Sequence, residues 1–310
     1  MKQNTDTTLK FSIITPVYNS AAFLAETIES VIFQKGNFSI EYFIIDNCST
    51  DASVEIAYKY QSLLQQNPSL LKCKDVQISI ISEPDHGMYD ALNKGFSKAT
   101  GDVFAYINSD DIYLCGAFEI IADTFQKYPH TSWLKGITSY INEESIIYQI
   151  GHCNLYYTPW IKKGIYGTYS YFIQQDSVFW RSDLWHHINK IDPTLKLAGD
   201  FYLWLHFAKY ADLYSINVPV SCFRKTQNQL SQDITKYYKE VHSIPYEQPS
   251  KVLKLKIVLL NYLSTKTKNY FLKNLLYTLL FPTHDYRYIV YDGNQSKLVF
   301  QKTNLLKDPY

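Results

Sequence analysis

The chain has 310 residues, 46% of them hydrophobic and 16% aromatic, which suits one core-forming catalytic domain with an appendage or two small domains and excludes a largely disordered chain. With 30 Lys+Arg against 29 Asp+Glu the formal charge is +1, so the basic footprint of a nucleic-acid binder is missing. Five cysteines, at 48, 73, 115, 153 and 222, form no C-x-x-C pair and read as reduced thiols rather than a disulfide framework or a zinc site.

The opening MKQNTDTTLK is polar and runs into only a few apolar residues, so no signal-peptide core is expected and a cytoplasmic location is. FSIITPVY (11–18) is the first predicted strand, ending at a Pro; after Ser20, the spacing of Leu24, Ile28, Val31 and Ile32 predicts a covering helix. EYFIIDN (41–47) is the second strand. The turn NCSTD (47–51) offers N-cap residues for a helix that should stop near Asn67-Pro68. VQISIISEP (76–84) is the third strand, MYDALNKGFSKA (88–99) has helical spacing, and GDVFAYINSDD (101–111) is an apolar strand closed by two carboxylates.

This alternation predicts βαβ units, an α/β fold and a mainly parallel sheet. Such sheets bind ligands outside the carboxyl ends of their strands, where the loops 15–19, 46–51, 83–87 and 108–111 converge. From 132 to 180, segments such as SIIYQI (145–150) predict antiparallel or mixed strands that extend the sheet; helical spacing returns at 200–210. Residues 236–310 hold 12 Lys+Arg and 5 Asp+Glu, a local +7 that leaves the first 235 residues at −6. Within this part, 251–280 carries six Lys, no acid and abundant Leu, Ile, Val, Tyr and Phe, the composition of a basic amphipathic helix pair, and YIVYDGNQSKLVF (288–300) reads as a hairpin around Asp-Gly. The expected division is a 1–235 catalytic domain and a 236–310 basic extension. No run approaches the length of a membrane-spanning helix.

No G-x-G, Gly-Lys, G-x-S-x-G or H-E-x-x-H motif occurs, which argues against a dinucleotide dehydrogenase, a P-loop kinase, a standard serine hydrolase and a zincin. Carboxylate chemistry remains. Asp110-Asp111 at a strand end offers hard oxygen ligands suited to Mg2+ or Mn2+ bridging a diphosphate, although the pair also reads as a capped turn.

The segments FSIITPVYNS, FIIDNCSTD, SEPDHGMYDALNKG, ATGDVFAYINSDD, QQDSVFWRSDLW and LKLAGDFYLWL resemble, in order and spacing, the inverting glycosyltransferases of family 2 over about residues 9–235. The resemblance implies a GT-A-type fold, a nucleoside-diphosphate sugar donor with UDP favoured, Mn2+ or Mg2+, and a glycan or lipid-linked glycan acceptor in bacterial surface-polysaccharide synthesis. It implies that Thr15, Pro16 and Tyr18 form the first nucleotide loop, that Asp46 binds the base, that Asp85 faces the nucleoside, and that Asn93 and Lys94 approach the ribose or phosphates. Strand termination for Thr15-Pro16, turn formation for Asp85 and a solvated helix position for Lys94 stand beside those roles.

By the same resemblance Asp111 coordinates the metal, Asp110 serves metal, ribose or donor sugar, and Arg224, near Gln229-Leu230-Ser231, reaches the diphosphate. Asn108 stands where many relatives carry another Asp, so the site has one negative charge fewer. Asp200, opening a helix after Gly199, matches the general base, with a plain helix cap as the alternative. Gln174, Gln175 and Asp176 fall beside the acceptor cleft without individual roles. A Q-x-x-R-W motif is missing, which favours transfer of a single sugar over processive synthesis. The basic segment 251–280 either seats the enzyme on an anionic membrane or packs on the catalytic domain. A non-catalytic nucleotide- or glycan-binding protein on the same fold is the competing functional reading.

Overall fold

Two-sided burial is what turns the runs IITPV and FIID into central strands: in β1 (Leu9–Val17) and β2 (Phe38–Asp46) successive side chains are buried on both faces, as a sheet covered by helices demands. In this computed structural model, which describes residues 8–188, 190–226, 233–266, 272, 275, 279–280, 286–293 and 296–301, they lie parallel to each other and to β3 (Asp75–Ser82) and β4 (Val103–Tyr106), in the order β4-β1-β2-β3. The crossovers are α1 (Leu24–Ile32), α2 (Ser53–Gln66) and α3 (Met88–Phe96). α1 buries Leu24, Ile28, Val31 and Ile32, the stripe its spacing predicts.

The second half adds β5 (Ile112–Tyr113), α4 (Ala117–Lys127), β6 (Trp133–Ile141), β7 (Ile147–Ile150), α5 (Thr158–Lys162), β8 (Val178–Arg181), α6 (Ser182–His186), α7 (Gly199–Tyr210) and β9 (Leu213–Arg224). β8 runs antiparallel between β4 and β6, and β9 pairs parallel with β6, so the sheet is mixed, as expected. The fourth strand is shorter than its apolar run suggests. It stops at Tyr106, and the chain turns at 107–111, closed by the Asp111 N–H donating to the Asn108 carbonyl at 3.2 Å; both carboxylates therefore belong to a turn beyond the strand.

The C-terminal part comprises α8 (Ile234–Ser243), α9 (Lys251–Lys266), β10 (Tyr286–Tyr291) and β11 (Ser296–Gln301). The expected hairpin is present, but β10 pairs parallel with β9 (Arg287 opposite Tyr214, Ile289 opposite Ile216), so it is the edge of the main sheet, and a boundary at 235/236 cuts through that sheet. The second helix of the 251–280 pair falls largely outside the described residues. Among those described, no helix is long and apolar enough to cross a membrane. Apolar cores fill both sides of the sheet, one of them rich in aromatics such as Trp133, Trp180, Trp204 and Phe207.

Candidate active site

A cleft of about 1240 Å³ opens at the carboxyl ends of β1, β2 and β4. Its near wall is made by residues of the four converging loops, and its far wall by 166–176, the start of α7 and the start of α8. The loops are stitched together by side chains. The Asn19 N–H donates to Ser49 Oγ at 2.8 Å, Thr50 N–H donates to Asn19 Oδ1 at 2.9 Å, Asp85 N–H donates to Asn47 Oδ1 at 2.8 Å, and the hydroxyls of Ser20 and Ser109 lie 2.7 Å apart. This network holds the rim in one shape ahead of any ligand.

Of the residues the resemblance singled out, Pro16, Tyr18, Asp85, Asn108, Asp110, Gln174, Gln175, Asp176 and Asp200 line the cleft. Tyr18 is 62% exposed, a large aromatic face at the entrance. Asp85 accepts the Gly87 N–H at 2.7 Å, and partial burial lifts its carboxyl above the ordinary range.

The others sit behind the wall. Thr15 is fully buried in β1, its hydroxyl 2.9 Å from that of Tyr42, because residues of a two-sided strand alternate away from the loop. Asp46 is buried and accepts the Ser49 N–H at 3.1 Å and the Ser82 hydroxyl at 2.6 Å; it shapes the base-side loop, while its neighbour Asn47 reaches the cleft. Asn93 spends both ends of its carboxamide on the backbone of Ile191, at 2.8 Å each. Lys94 pairs with Glu83 at 3.0 Å and donates to the Pro84 carbonyl at 2.7 Å.

Arg224 is the largest departure from expectation. It is fully buried: Nε donates to the Asp110 carbonyl at 2.7 Å, Nη1 to the Asn142 carbonyl at 3.0 Å and to Ser145 Oγ at 2.9 Å, and Nη2 to Glu26 at 2.8 Å, with the guanidinium 4.4 Å from the centre of the Phe23 ring. A fork of fixed donors satisfied in this way is a clamp between α1, the acidic turn and the β6–β7 turn. The cations that do line the cleft are Lys196 and Lys225, which sequence reasoning missed.

Asp111, the expected metal ligand, faces inward and is fully buried: its Oδ1 accepts the Arg224 N–H at 2.8 Å and its Oδ2 accepts Asn108 Nδ2 at 3.2 Å. Burial, with Asp110 and Asp176 nearby, raises its carboxyl well above the ordinary range. Asp110 is the carboxylate on the cleft side, accompanied by Asn108 Oδ1, a buried oxygen without a hydrogen-bond partner. These hard oxygens fit a Mn2+ or Mg2+ ion that keeps waters and takes phosphate oxygens. No cluster of three His, Cys, Asp or Glu side chains stands ready for a metal among the described residues.

Asp200 lies at the first turn of α7 and receives the Tyr106 hydroxyl. Burial pushes its carboxyl up to about 6, with the Tyr106 hydrogen bond opposing the rise. Gly199 permits this packing, since a Cβ there would stand 2.4 Å from the ring of Tyr89, whose hydroxyl donates to the Leu197 carbonyl at 3.2 Å. Glu240 of α8 ties down the segment that leads into α7: its carboxylate accepts the N–H groups of Lys196, Leu197 and Ala198 at 2.8–3.0 Å. No short motif betrays that role, because the partners are more than forty residues apart. Of the many aromatics between 156 and 204, Tyr166, Phe172, Phe201 and Trp204 line the cleft. The segment Gln229-Leu230-Ser231 falls outside the described residues.

Residues 12–192 match the family described as Glycosyl transferase family 2. An uncharacterized glycosyltransferase of Rickettsia typhi is 26% identical over 220 residues, covering 69% of this chain and 63% of that protein. The minor teichoic acid biosynthesis protein GgaA of Bacillus subtilis is 30% identical over 126 residues, 39% of this chain and 26% of its own length. This chain thus spans less than two thirds of the curated relatives it matches. In three dimensions it is similar to Staphylococcus aureus TarS in complex with UDP-GlcNAc, with a TM-score of 0.56 at 17% identity over 83% of this chain and 73% of that one, which shows a GT-A fold. A mannosyltransferase of Pyrobaculum calidifontis in complex with GDP-Man and Mn2+ aligns with a TM-score of 0.50 at 13% identity over 89% of this chain and 82% of that one.

Proposed function

The chain belongs to glycosyl transferase family 2, and on that premise we propose that it transfers one sugar from a nucleoside diphosphate, UDP favoured, to a hydroxyl of a glycan or lipid-linked glycan, with inversion at the anomeric carbon. The observation that carries the reading is a carboxylate with its affinity for protons raised, Asp200, on the wall of a cleft whose opposite side carries Asp110. A sugar hydroxyl is a poor nucleophile at neutral pH. Asp200 accepts its proton as the oxygen attacks the anomeric carbon from the face opposite the diphosphate, and inversion follows from a single displacement. Tyr106 holds the carboxylate in line by donating to one of its oxygens.

Pro16 and Tyr18 with Asn47 and Asp85 would hold the nucleoside, and Lys196 and Lys225 would draw the diphosphate into the cleft. Asp110 and Asn108 Oδ1 would hold Mn2+ or Mg2+, whose contribution is to neutralise charge on the departing diphosphate. Asp46, Asn93, Lys94, Arg224 and Asp111 then act on the substrate only through the loops they fix. The relative named for minor teichoic acid biosynthesis supports a role in bacterial surface-polysaccharide assembly. An apolar stripe on the outer face of α9 supports a seat on an anionic membrane.

The test is ligand-linked thermal stabilisation by UDP, GDP, dTDP and CMP, each with and without Mn2+, on the wild type and Asp110→Asn. One nucleoside diphosphate is expected to raise the melting temperature in a manner that needs both Mn2+ and Asp110. No rise with any nucleotide would defeat the reading, and a product of retained configuration would defeat its mechanism.

A further inference from the structure

Gln175 is 8% exposed, lines the cleft, and neither its Nε2 nor its Oε1 has a hydrogen-bond partner. Its neighbour Asp176 is fully buried; Oδ2 accepts the Ser221 hydroxyl at 2.5 Å, while Oδ1 is likewise without a partner. Both belong to a single 3-10 turn, Gln175–Ser177, that feeds β8. Because β8 runs antiparallel to β4, the start of β8 lies at the carboxyl end of β4, beside the acidic turn. Gln175 and Asp176 line the same cleft as Asp110 and Asp200, and the Asp176 carboxylate is near enough to Asp111 and Asp200 for its charge to act on both.

A buried carboxamide without partners is costly, and the cost is recovered only when something donates and accepts in its place. A carbohydrate hydroxyl does both; a carboxamide offers two donors and an acceptor in one plane, and an acidic oxygen alongside accepts one more hydroxyl hydrogen. The position selects which sugar. The diphosphate is proposed to lie against Asp110 and the acceptor hydroxyl against Asp200, so the ring that joins them at its anomeric carbon is the one being transferred.

We propose that Gln175, with Asp176 Oδ1 beside it, is the specificity-determining contact to ring hydroxyls of the transferred sugar. This rests on the reading of the chain as a nucleotide-sugar transferase. It separates the two tasks of the cleft: the loops at 16–20, 47 and 85 bind the nucleotide whatever it carries, while the turn at 175–176 discriminates among sugars. A site built to hydrogen-bond a hydroxyl rejects an analogue lacking it far more strongly than an apolar pocket discriminates by size.

The experiment measures dissociation constants by calorimetry in Mn2+ for UDP, UDP-glucose, UDP-galactose, UDP-N-acetylglucosamine, GDP and GDP-mannose. The proteins are the wild type, Gln175→Leu and the size-conserving Gln175→Glu. In the wild type, one nucleotide sugar is expected to bind more tightly than its bare nucleotide and than the other sugars. Both variants are expected to lose at least about tenfold of that sugar increment while holding the bare nucleotide within about twofold, because Leu removes the donors and the acceptor, Glu removes the donors, and the nucleotide loops are untouched. An increment that survives in both folded variants overturns the proposal, as does a wild type that binds a bare nucleotide and gains nothing from any sugar. A wild type that binds no nucleotide at all overturns the transferase reading itself, and this inference with it.

Discussion

A carboxylate at the start of a helix usually caps it, and the alternative role for Asp200 was just that. In α7 no side-chain cap hydrogen bond is made; Asp200 sits in the first turn, lines the cleft and receives the Tyr106 hydroxyl. Since burial pushes its carboxyl up to about 6, transfer should fall about tenfold per pH unit below that value and level off above it, as only the ionised form accepts the acceptor's proton. The Tyr106 hydroxyl favours the ionised form, so Tyr106→Phe should move the acid limb of the kcat profile to higher pH; an unmoved limb would separate Tyr106 from the base. Asp200→Asn should lower kcat by about a hundredfold to ten-thousandfold while nucleotide affinity persists. The linkage to stability has the opposite sense. An Asp whose folded value lies above the unfolded one costs stability as pH climbs from the unfolded value through about 6, and the cost stays at neutral pH. Asp200→Asn removes it, so its melting temperature at pH 7.5 should rise by about 2–4 °C if the relief is near 1 kcal/mol. A melting point equal to the wild type's would show that the carboxylate is not strained. Asp200 was legible because a Gly-Asp pair opening a helix is a local pattern. The burial of Arg224 was not, because its four partner groups come from Glu26, Asp110, Asn142 and Ser145, and a residue type cannot reveal which way a side chain turns.

At the scale of elements, the strands and helices that carry the first wall were readable because each is short, periodic and closed by its own Pro, Gly or Asx signal. The far wall was less so: the base is held in place by α8, which a composition shift near 236 had assigned to a separate extension. Glu240 anchors three successive N–H groups ahead of α7, so Glu240→Gln, which keeps the shape but halves the acceptors, should lower kcat with little change in nucleotide affinity. An equal loss in both would mark a general loosening of the fold instead. α9 poses a different question. Leu253, Ile257 and Leu260 pack inward, yet Val252, Leu255, Val258, Leu259 and Tyr262 are exposed, with Val252 and Leu255 at 66% and 68%. A helix that is apolar on both sides and fringed by Lys251 and Lys254 suits a surface that is apolar within and anionic without. The wild type should co-sediment with phosphatidylglycerol vesicles at low salt and not with phosphatidylcholine vesicles, and Leu255→Asp with Val258→Asp should abolish it. Equal sedimentation of that double variant would dismiss α9 as the contact.

Across the whole molecule, the balanced net charge conceals a −6 portion that builds most of the cleft and a +7 portion that follows it, and from sequence the second reads as a basic extension. The pairing of β10 with β9 makes that extension part of the main fold, since it closes the edge of the sheet that carries the site. Tyr286, Tyr288 and Ile289 are buried there, Tyr286 and Tyr288 in the aromatic core that also includes Phe201, Trp204 and Phe207 of α7, and Ile289 in the core on the opposite side of the sheet. Such a contribution has no local signature. A DG-centred hairpin is readable, but its parallel neighbour lies some seventy residues back, and β-branched runs do not say which strand they will join. The consequence is a test of the architecture itself. Burial of three large side chains contributes about 1.5–3 kcal/mol each, a sum comparable with the whole stability of an ordinary domain. Ending the chain after Ser250 also bares the parallel edge of β9, a template for association. That truncated protein should therefore be aggregated or melt far below the full chain, and should lose transfer along with its fold, whereas the α9 double variant should keep the melting temperature and nucleotide binding of the wild type. A truncated protein that is monomeric and melts with the full chain would mean that residues after 250 are dispensable to the fold.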